Sequence, residues 1–168
     1  IGSISSHFPL EDATVYISVI GASECYQEIA KLAYEVGRHI ALKKAILVCG
    51  GLGGVMDAAA RGAREAGGLT VGILPGTDRR EASRHLDVAL PTGLGYARNA
   101  LVVQAADAVI AVSGEYGTLS EIGLALNMGK PVVGLQTWEL GKQGRIIQDI
   151  IVARTAEEAV EKAFKFFI

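Results

Sequence analysis

Five short runs of this 168-residue chain are almost wholly apolar: Val15–Ile20, Ala45–Cys49, Leu69–Leu74, Ala108–Val112 and Pro131–Leu135. A strand with one wet face alternates apolar and polar residues, so unbroken runs this short predict strands covered on both faces, as in a parallel sheet. The segments between them keep a helical period. Ile29, Ala33, Val36 and Ile40 fall on one side of the first, with Glu28, Lys31, Glu35 and Arg38 on the other. Crossover helices also fit Val55–Ala66 and Leu119–Met128. Strands alternating with crossover helices predict right-handed βαβ units, hence an α/β, single-domain, Rossmann-like three-layer fold with a mainly parallel sheet.

The longer connection from Pro75 to Asp107 has room for a short strand at Leu86–Leu90 and a helix from Tyr96 to Ala106, and is expected to lie over the strand ends. Ile147–Ala153 reads as a last strand. Thr155-Ala156-Glu157-Glu158 is a capping-box start for a final helix through Phe166. Residues 1–12 carry no periodicity and are read as an N-terminal tail, an addition to the natural chain or a frayed end, ahead of a nucleotide-binding domain at 13–168.

Half of the residues are apolar, enough for one substantial core, and the net charge is −2 with no basic stripe. That balance argues against nucleic acid or an anionic membrane as partner and for a small ligand. The apolar runs fall far short of the roughly 20 residues a bilayer span needs. Cys25 and Cys49 fall in a helical pattern and a strand pattern, with no disulfide framework, which predicts a reducing, cytoplasmic setting. His7, His39 and His85 are scattered without Cys or carboxylate partners at ligand spacing, so no metal and no cofactor are expected.

In parallel α/β sheets ligands occupy the crevice at the carboxyl ends of the strands, where helix N-termini expose backbone N–H groups. Four turns at that edge carry glycine: Gly21-Ala22-Ser23, Gly50-Gly51-Leu52-Gly53-Gly54, Gly72-Ile73-Leu74-Pro75-Gly76 and Ser113-Gly114-Glu115-Tyr116-Gly117-Thr118. Glycine permits tight turns and also close backbone approach to a phosphate. Met56 stands where a G-x-G-x-x-G fingerprint needs its last glycine, and no G-x-x-x-x-G-K-[ST] occurs, which disfavours ordinary NAD chemistry and P-loop hydrolysis.

Gly50-Gly51-Leu52-Gly53-Gly54-Val55-Met56, then Gly62-Ala63, Gly67-Gly68 and Val71-Gly72-Ile73-Leu74-Pro75, resemble the first half of the LONELY GUY family, formerly labelled lysine decarboxylases. Arg98, Ala106-Asp107-Ala108 and Gly114-x-x-Gly117-Thr118-x-x-Glu121 resemble its second half at matching spacing. The resemblance runs from about Thr14 to Leu135. It implies membership of a superfamily that includes phosphoribohydrolases, which release a base from nucleoside 5′-monophosphates, and molybdenum-cofactor carriers. It implies Arg98 and Glu121 as catalytic residues and a homo-oligomer, dimer or tetramer. Taken with the turns, it makes Gly21, Ser23, Gly51, Gly53, Gly54, Met56, Gly114, Gly117 and Thr118 the candidates for phosphate and nucleotide binding. A DNA-processing family shares the fold, but the mildly acidic chain lacks the basic face single-stranded DNA would need.

Each candidate also has a plain structural reading. Thr118 and Glu121 are spaced as a helix capping box, Arg98 could sit on a solvated helix face, and Asp107 could merely tie down a turn. Cys49 is expected to pack. No Schiff-base lysine site is evident, so a lysine decarboxylase is not expected. Ser113 and Glu115 replace the Pro and Gly of the hydrolase motif. A carboxylate in a phosphate turn repels the anion unless it points away, which favours the alternative of a carrier holding a pterin or nucleotide unchanged.

Overall fold

The computed structural model describes residues 14–167; the N-terminal tail at 1–12 lies outside the described residues. Seven strands make one parallel sheet: β1 (Tyr16–Gly21), β2 (Ile46–Cys49), β3 (Thr70–Leu74), β4 (Val88–Pro91), β5 (Ala108–Val112), β6 (Val132–Leu135) and, after a hairpin of β7 (Leu140–Lys142) and β8 (Arg145–Ile147), β9 (Ile150–Ala153). Their order is β4-β3-β2-β1-β5-β6-β9. The helices are α1 (Gln27–Leu42), α2 (Val55–Glu65), α3 (Arg98–Gln104), α4 (Tyr116–Asn127) and α5 (Ala156–Phe164).

This order explains the layers. The chain steps outward from β1 through β2 to β3, and right-handed crossovers place α1 and α2 on one face. It then returns across the sheet to β5 beside β1 and steps the other way, so the same handedness puts α3 and α4 on the opposite face. Alternate residues serve the two cores: Ile17, Val19, Leu47 and Ile110 pack with α1, α2 and α5, whereas Ile20, Val48, Val109 and Ala111 pack with α3 and α4. Ser18 is the polar exception, and its hydroxyl donates to the Val102 carbonyl 2.5 Å away. The point of reversal, between the ends of β1 and β5, is where a ligand crevice opens in such sheets.

Helices α1 and α2 touch through two glycines. A Cβ on Gly37 would overlap the Ala59 carbonyl oxygen, and one on Gly62 the Tyr34 carbonyl oxygen. Alanine at either position improves helix propensity by about 1 kcal/mol but drives two backbones apart. Backbone overlap should win, and Gly62→Ala is expected to lower stability by about 1–3 kcal/mol. Urea unfolding with an unchanged midpoint would show instead that the helices separate freely.

Several sequence boundaries are corrected. The last strand, expected over Ile147–Ala153, is broken: Ile147 ends β8, and only Ile150–Ala153 joins the sheet. The break follows a two-residue hairpin turn, Gln143-Gly144, with φ of 52° and 74°, the left-handed pair that suits the twist of antiparallel strands. The short strand expected at Leu86–Leu90 is β4 at Val88–Pro91. The helix expected over Tyr96–Ala106 is a 3-10 turn at Gly95–Ala97 followed by α3. Cys25 precedes α1 instead of lying within it. The N-cap half of the box expected at Thr155 forms, its side chain accepting the Glu158 N–H at 3.1 Å, but the Glu158 carboxylate reaches one residue past the cap and accepts the Arg154 N–H at 2.7 Å. The final helix stops at Phe164, short of Phe166. No helix among the described residues is long and apolar enough to cross a membrane.

Candidate functional site

A cavity of about 430 Å³ lies over the carboxyl ends of β3, β2, β1 and β5. Of the residues singled out in the sequence, Gly21, Ser23, Met56, Arg98, Gly117, Thr118 and Glu121 line it. Gly51, Gly53, Gly54 and Gly114 do not; they make the turns that shape it. A Cβ on Gly54, where φ is 60°, would collide with the Ala22 carbonyl oxygen, and one on Gly53 would sit 3.0 Å from the Ser23 oxygen. The second turn is thus laid directly on the first, and the Val55 N–H donates to Ala22 O at 3.0 Å. A side chain on Gly51 would strike the Leu74 methyl at 2.5 Å.

The fourth turn needs left-handed backbone at two successive residues, Ser113 (φ 52°) and Gly114 (φ 104°). Ser113 takes this conformation although a Cβ disfavours it. Two side chains beyond β6 hold the turn: the Thr137 hydroxyl donates to Ser113 O at 2.6 Å, and the Trp138 indole N–H to Glu115 O at 3.3 Å. Helix α4 therefore starts at Tyr116 with Glu115 as its cap residue and no side-chain capping bond. Its first intrahelical bond runs from Leu119 N–H to Glu115 O, 3.0 Å. The N–H groups of the turn before it, Gly117 and Thr118 among them, end the helix beside the cavity, and such an end attracts an anion.

This start also corrects the capping-box reading of Thr118 and Glu121. Both lie inside α4, buried, and Thr118 caps nothing. Glu121 is 6 % exposed, and its carboxylate accepts no hydrogen bond among the described residues. Burial pushes its pKa up to about 7, against the pull of the Arg98 charge. The solvated-face reading of Arg98 is corrected likewise: the side chain is 8 % exposed at the head of α3. It donates from Nη2 to Gly50 O at 3.1 Å and from Nη1 to Asn99 Oδ1, while its buried Nε has no partner. Desolvation lowers its pKa and Glu121 opposes that shift, but a guanidinium keeps its proton. The two charges face each other without an ion pair within 4.0 Å among the described residues, so a ligand can reach both.

Sequence reasoning missed Tyr96 and Asn99 as cavity walls, placed Leu52 and Pro75 in the ligand-edge turns without naming them as contacts, and treated Glu115 as a departure from a motif although it lines the mouth. Asn99 had one signal, its place beside Arg98, and Leu52 and Pro75 had theirs in the glycine-rich turns; Tyr96 had none in spacing or charge. Asp107 accepts the Tyr16 N–H at 2.8 Å and joins the start of β1 to that of β5. Cys49 is fully buried, with its thiol pushed up to about 12 by burial. His85 lies outside the cavity, its Nδ1 3.0 Å from Asp57 Oδ1.

Residues 14–163 match the model of the SLOG cluster4 family. An uncharacterized protein of Archaeoglobus fulgidus is 46% identical over 144 residues, 86% of this chain and 91% of its own length. A cytokinin riboside 5′-monophosphate phosphoribohydrolase of Mycobacterium tuberculosis is 36% identical over 127 residues, 70% of this chain and 67% of the relative. Among solved structures, the molybdenum cofactor binding protein of Rippkaea orientalis superposes with a TM-score of 0.84 at 34% identity, covering 94% of this chain and all of that one.

Proposed function

The chain belongs to the SLOG cluster4 family, within the LONELY GUY-related superfamily its motifs resemble, and from that premise we propose that it hydrolyses the N-glycosidic bond of a nucleoside 5′-monophosphate. One observation carries this reading: Glu121 is a buried carboxylate without a hydrogen-bond donor among the described residues, facing a cavity that also exposes the Arg98 guanidinium. Leaving such a group unpaired costs stability, and groups of this kind concentrate at sites where ligand or chemistry uses them.

The chemistry follows from the placement. The phosphate lies at the start of α4, against the N–H groups of Gly117 and Thr118 and the end of the first turn at Ser23. The pentose then reaches Glu121 and Arg98. As the C1′–N bond lengthens, positive charge grows on C1′ and the ring oxygen, and the Glu121 carboxylate stabilises it. Water gives its oxygen to C1′ and a proton to Glu121; the base leaves with the bond pair and takes up a proton from solvent water, and Glu121 returns its own proton to solvent. Arg98 offers its fork to the phosphate or to the departing base. The test is base release from a panel of nucleoside 5′-monophosphates, with folding followed in parallel.

A specific observation favours a second reading, a protein that holds a pterin or nucleotide without changing it. Glu115 lines the mouth where the hydrolase motif has glycine, and the likeness to the cofactor-binding structure spans the whole of that chain. Thermal shift with monophosphates and pterins side by side separates the two: strong stabilisation by a pterin without base release from any nucleotide would establish the second. Glu115 itself is testable. A like charge about 6 Å from a phosphate in a wet mouth costs about 1 kcal/mol, so Glu115→Gly should tighten binding of adenosine 5′-monophosphate about fivefold at low salt, and less at high salt. Unchanged affinity would show that the carboxylate points away.

A further inference from the structure

The cavity has two chemically different ends, which the strand order places. At the β1–β5 end are Ser23, Gly117 and Thr118, with the uncapped start of α4. At the β2–β3 end are Leu52, Pro75 and Tyr96. From β5 to β3 is three strand spacings, about 14 Å. Arg98 lies between, its Nη2 on the Gly50 carbonyl at the end of β2.

Tyr96 is the unusual wall. It is 91 % exposed, yet it borders the cavity and belongs to an ordered turn: Gly95, at φ 56°, donates its N–H to Pro75 O at 2.9 Å, and Ala97 N–H donates to Leu94 O at 3.2 Å. A large ring held out by its backbone and covered by nothing among the described residues is a surface waiting for a flat partner. Aromatic faces pair with other rings by offset stacking, and an apolar wall beside one suits a ring far better than a phosphate.

We propose that Tyr96 is the platform for the planar heteroaromatic ring of the ligand, nucleobase or pterin, which lies at the β2–β3 end while its phosphate lies at the start of α4. The inference rests on the reading of this cavity as the site of a phosphate-bearing, nucleotide-like ligand. It makes Tyr96 a determinant of ring recognition and leaves the bond-breaking to Glu121.

The experiment compares probes that carry the phosphate with and without a ring. Adenosine 5′-monophosphate, neopterin monophosphate and ribose 5-phosphate are titrated calorimetrically against wild type, Tyr96→Ala and Tyr96→Phe. Stacking on one aromatic side chain is worth about tenfold in affinity. Tyr96→Ala should therefore weaken whichever ring-bearing probe the wild type binds by about tenfold, leave ribose 5-phosphate unchanged, and be restored by Tyr96→Phe. Equal weakening of all probes, or of none, overturns the inference, as does loss of ring binding that accompanies dissociation of an oligomer. Binding with this ring dependence but without base release would sink the hydrolytic reading and leave Tyr96 in its role. A wild type that binds neither ring-bearing probe overturns both.

Discussion

Glu121→Gln is expected to slow base release steeply while making the protein more stable at pH 8. Removing the charge that meets the developing cation at C1′ should cost about 10²–10³ in turnover, the scale of losing one preorganised electrostatic contact. Stability moves the other way. The carboxyl titrates at about 7 when folded, against an ordinary 4.5. Below pH 4.5 it is neutral in both states and contributes nothing. Between 4.5 and 7 the unfolded chain ionises first, so stability falls as pH rises, and above 7 the whole penalty, on the order of 3 kcal/mol, is present. Glutamine carries no such penalty, so urea midpoints of wild type and variant should coincide near pH 4.5 and separate by pH 8. The same titration sets the rate: the carboxylate is the working form, so wild-type turnover should climb through pH 7, a limb the variant lacks. A variant that unfolds yet keeps its activity per folded molecule would reduce Glu121 to a structural group.

Arg98→Ala should be the most damaging single change in the cavity. It removes the donor to the Gly50 carbonyl and to Asn99 and leaves Glu121 without its opposing charge. Leaving a buried acceptor without its donor costs about 1–3 kcal/mol, a sizeable share of a typical stability of 5–15 kcal/mol. Ligand affinity and turnover should both fall, because a planar charged contact is lost. Without Arg98 the Glu121 carboxyl rises further above its ordinary value, since the arginine charge is what opposes desolvation. The pH–rate limb should accordingly move above 7. Arg98→Lys restores the charge and should bring the limb back toward 7, but it cannot restore the fork that reaches Gly50 and Asn99 together. The double variant with Glu121→Gln isolates the coupling: if the two changes add in urea unfolding, the charges do not interact, and the account of the site is wrong.

The parts of the site that were legible in the sequence had two origins. Arg98 and Glu121 stood out through the resemblance of their motifs to a known family, and the glycine turns because each follows a run that must be a strand. Tyr96 was not legible. It enters the cavity because the long connection after β3 folds back over the strand ends, with Gly95 N–H on Pro75 O and Ser83 N–H on Gly51 O. The hairpin of β7 and β8 was hidden for another reason: Leu140-Gly141-Lys142 has little strand character of its own, and its pairing depends on the turn at Gln143-Gly144.

What the sequence by itself determined was local: which segments are buried strands, which helices cover them, and that glycine-rich turns follow the strands, because backbone preference and apolar period act over neighbouring residues. Tertiary structure alone decided the start of α4, which depends on Thr137 and Trp138 bonding across to Ser113 and Glu115. That start moved Thr118 and Glu121 from a capping pair to buried residues of the cavity wall. It also decided which glycines face the ligand space and which merely let two turns touch, since both kinds look alike in the chain. The rise in the Glu121 pKa was decided there too, because desolvation is a property of everything packed around a group and of nothing in its own sequence.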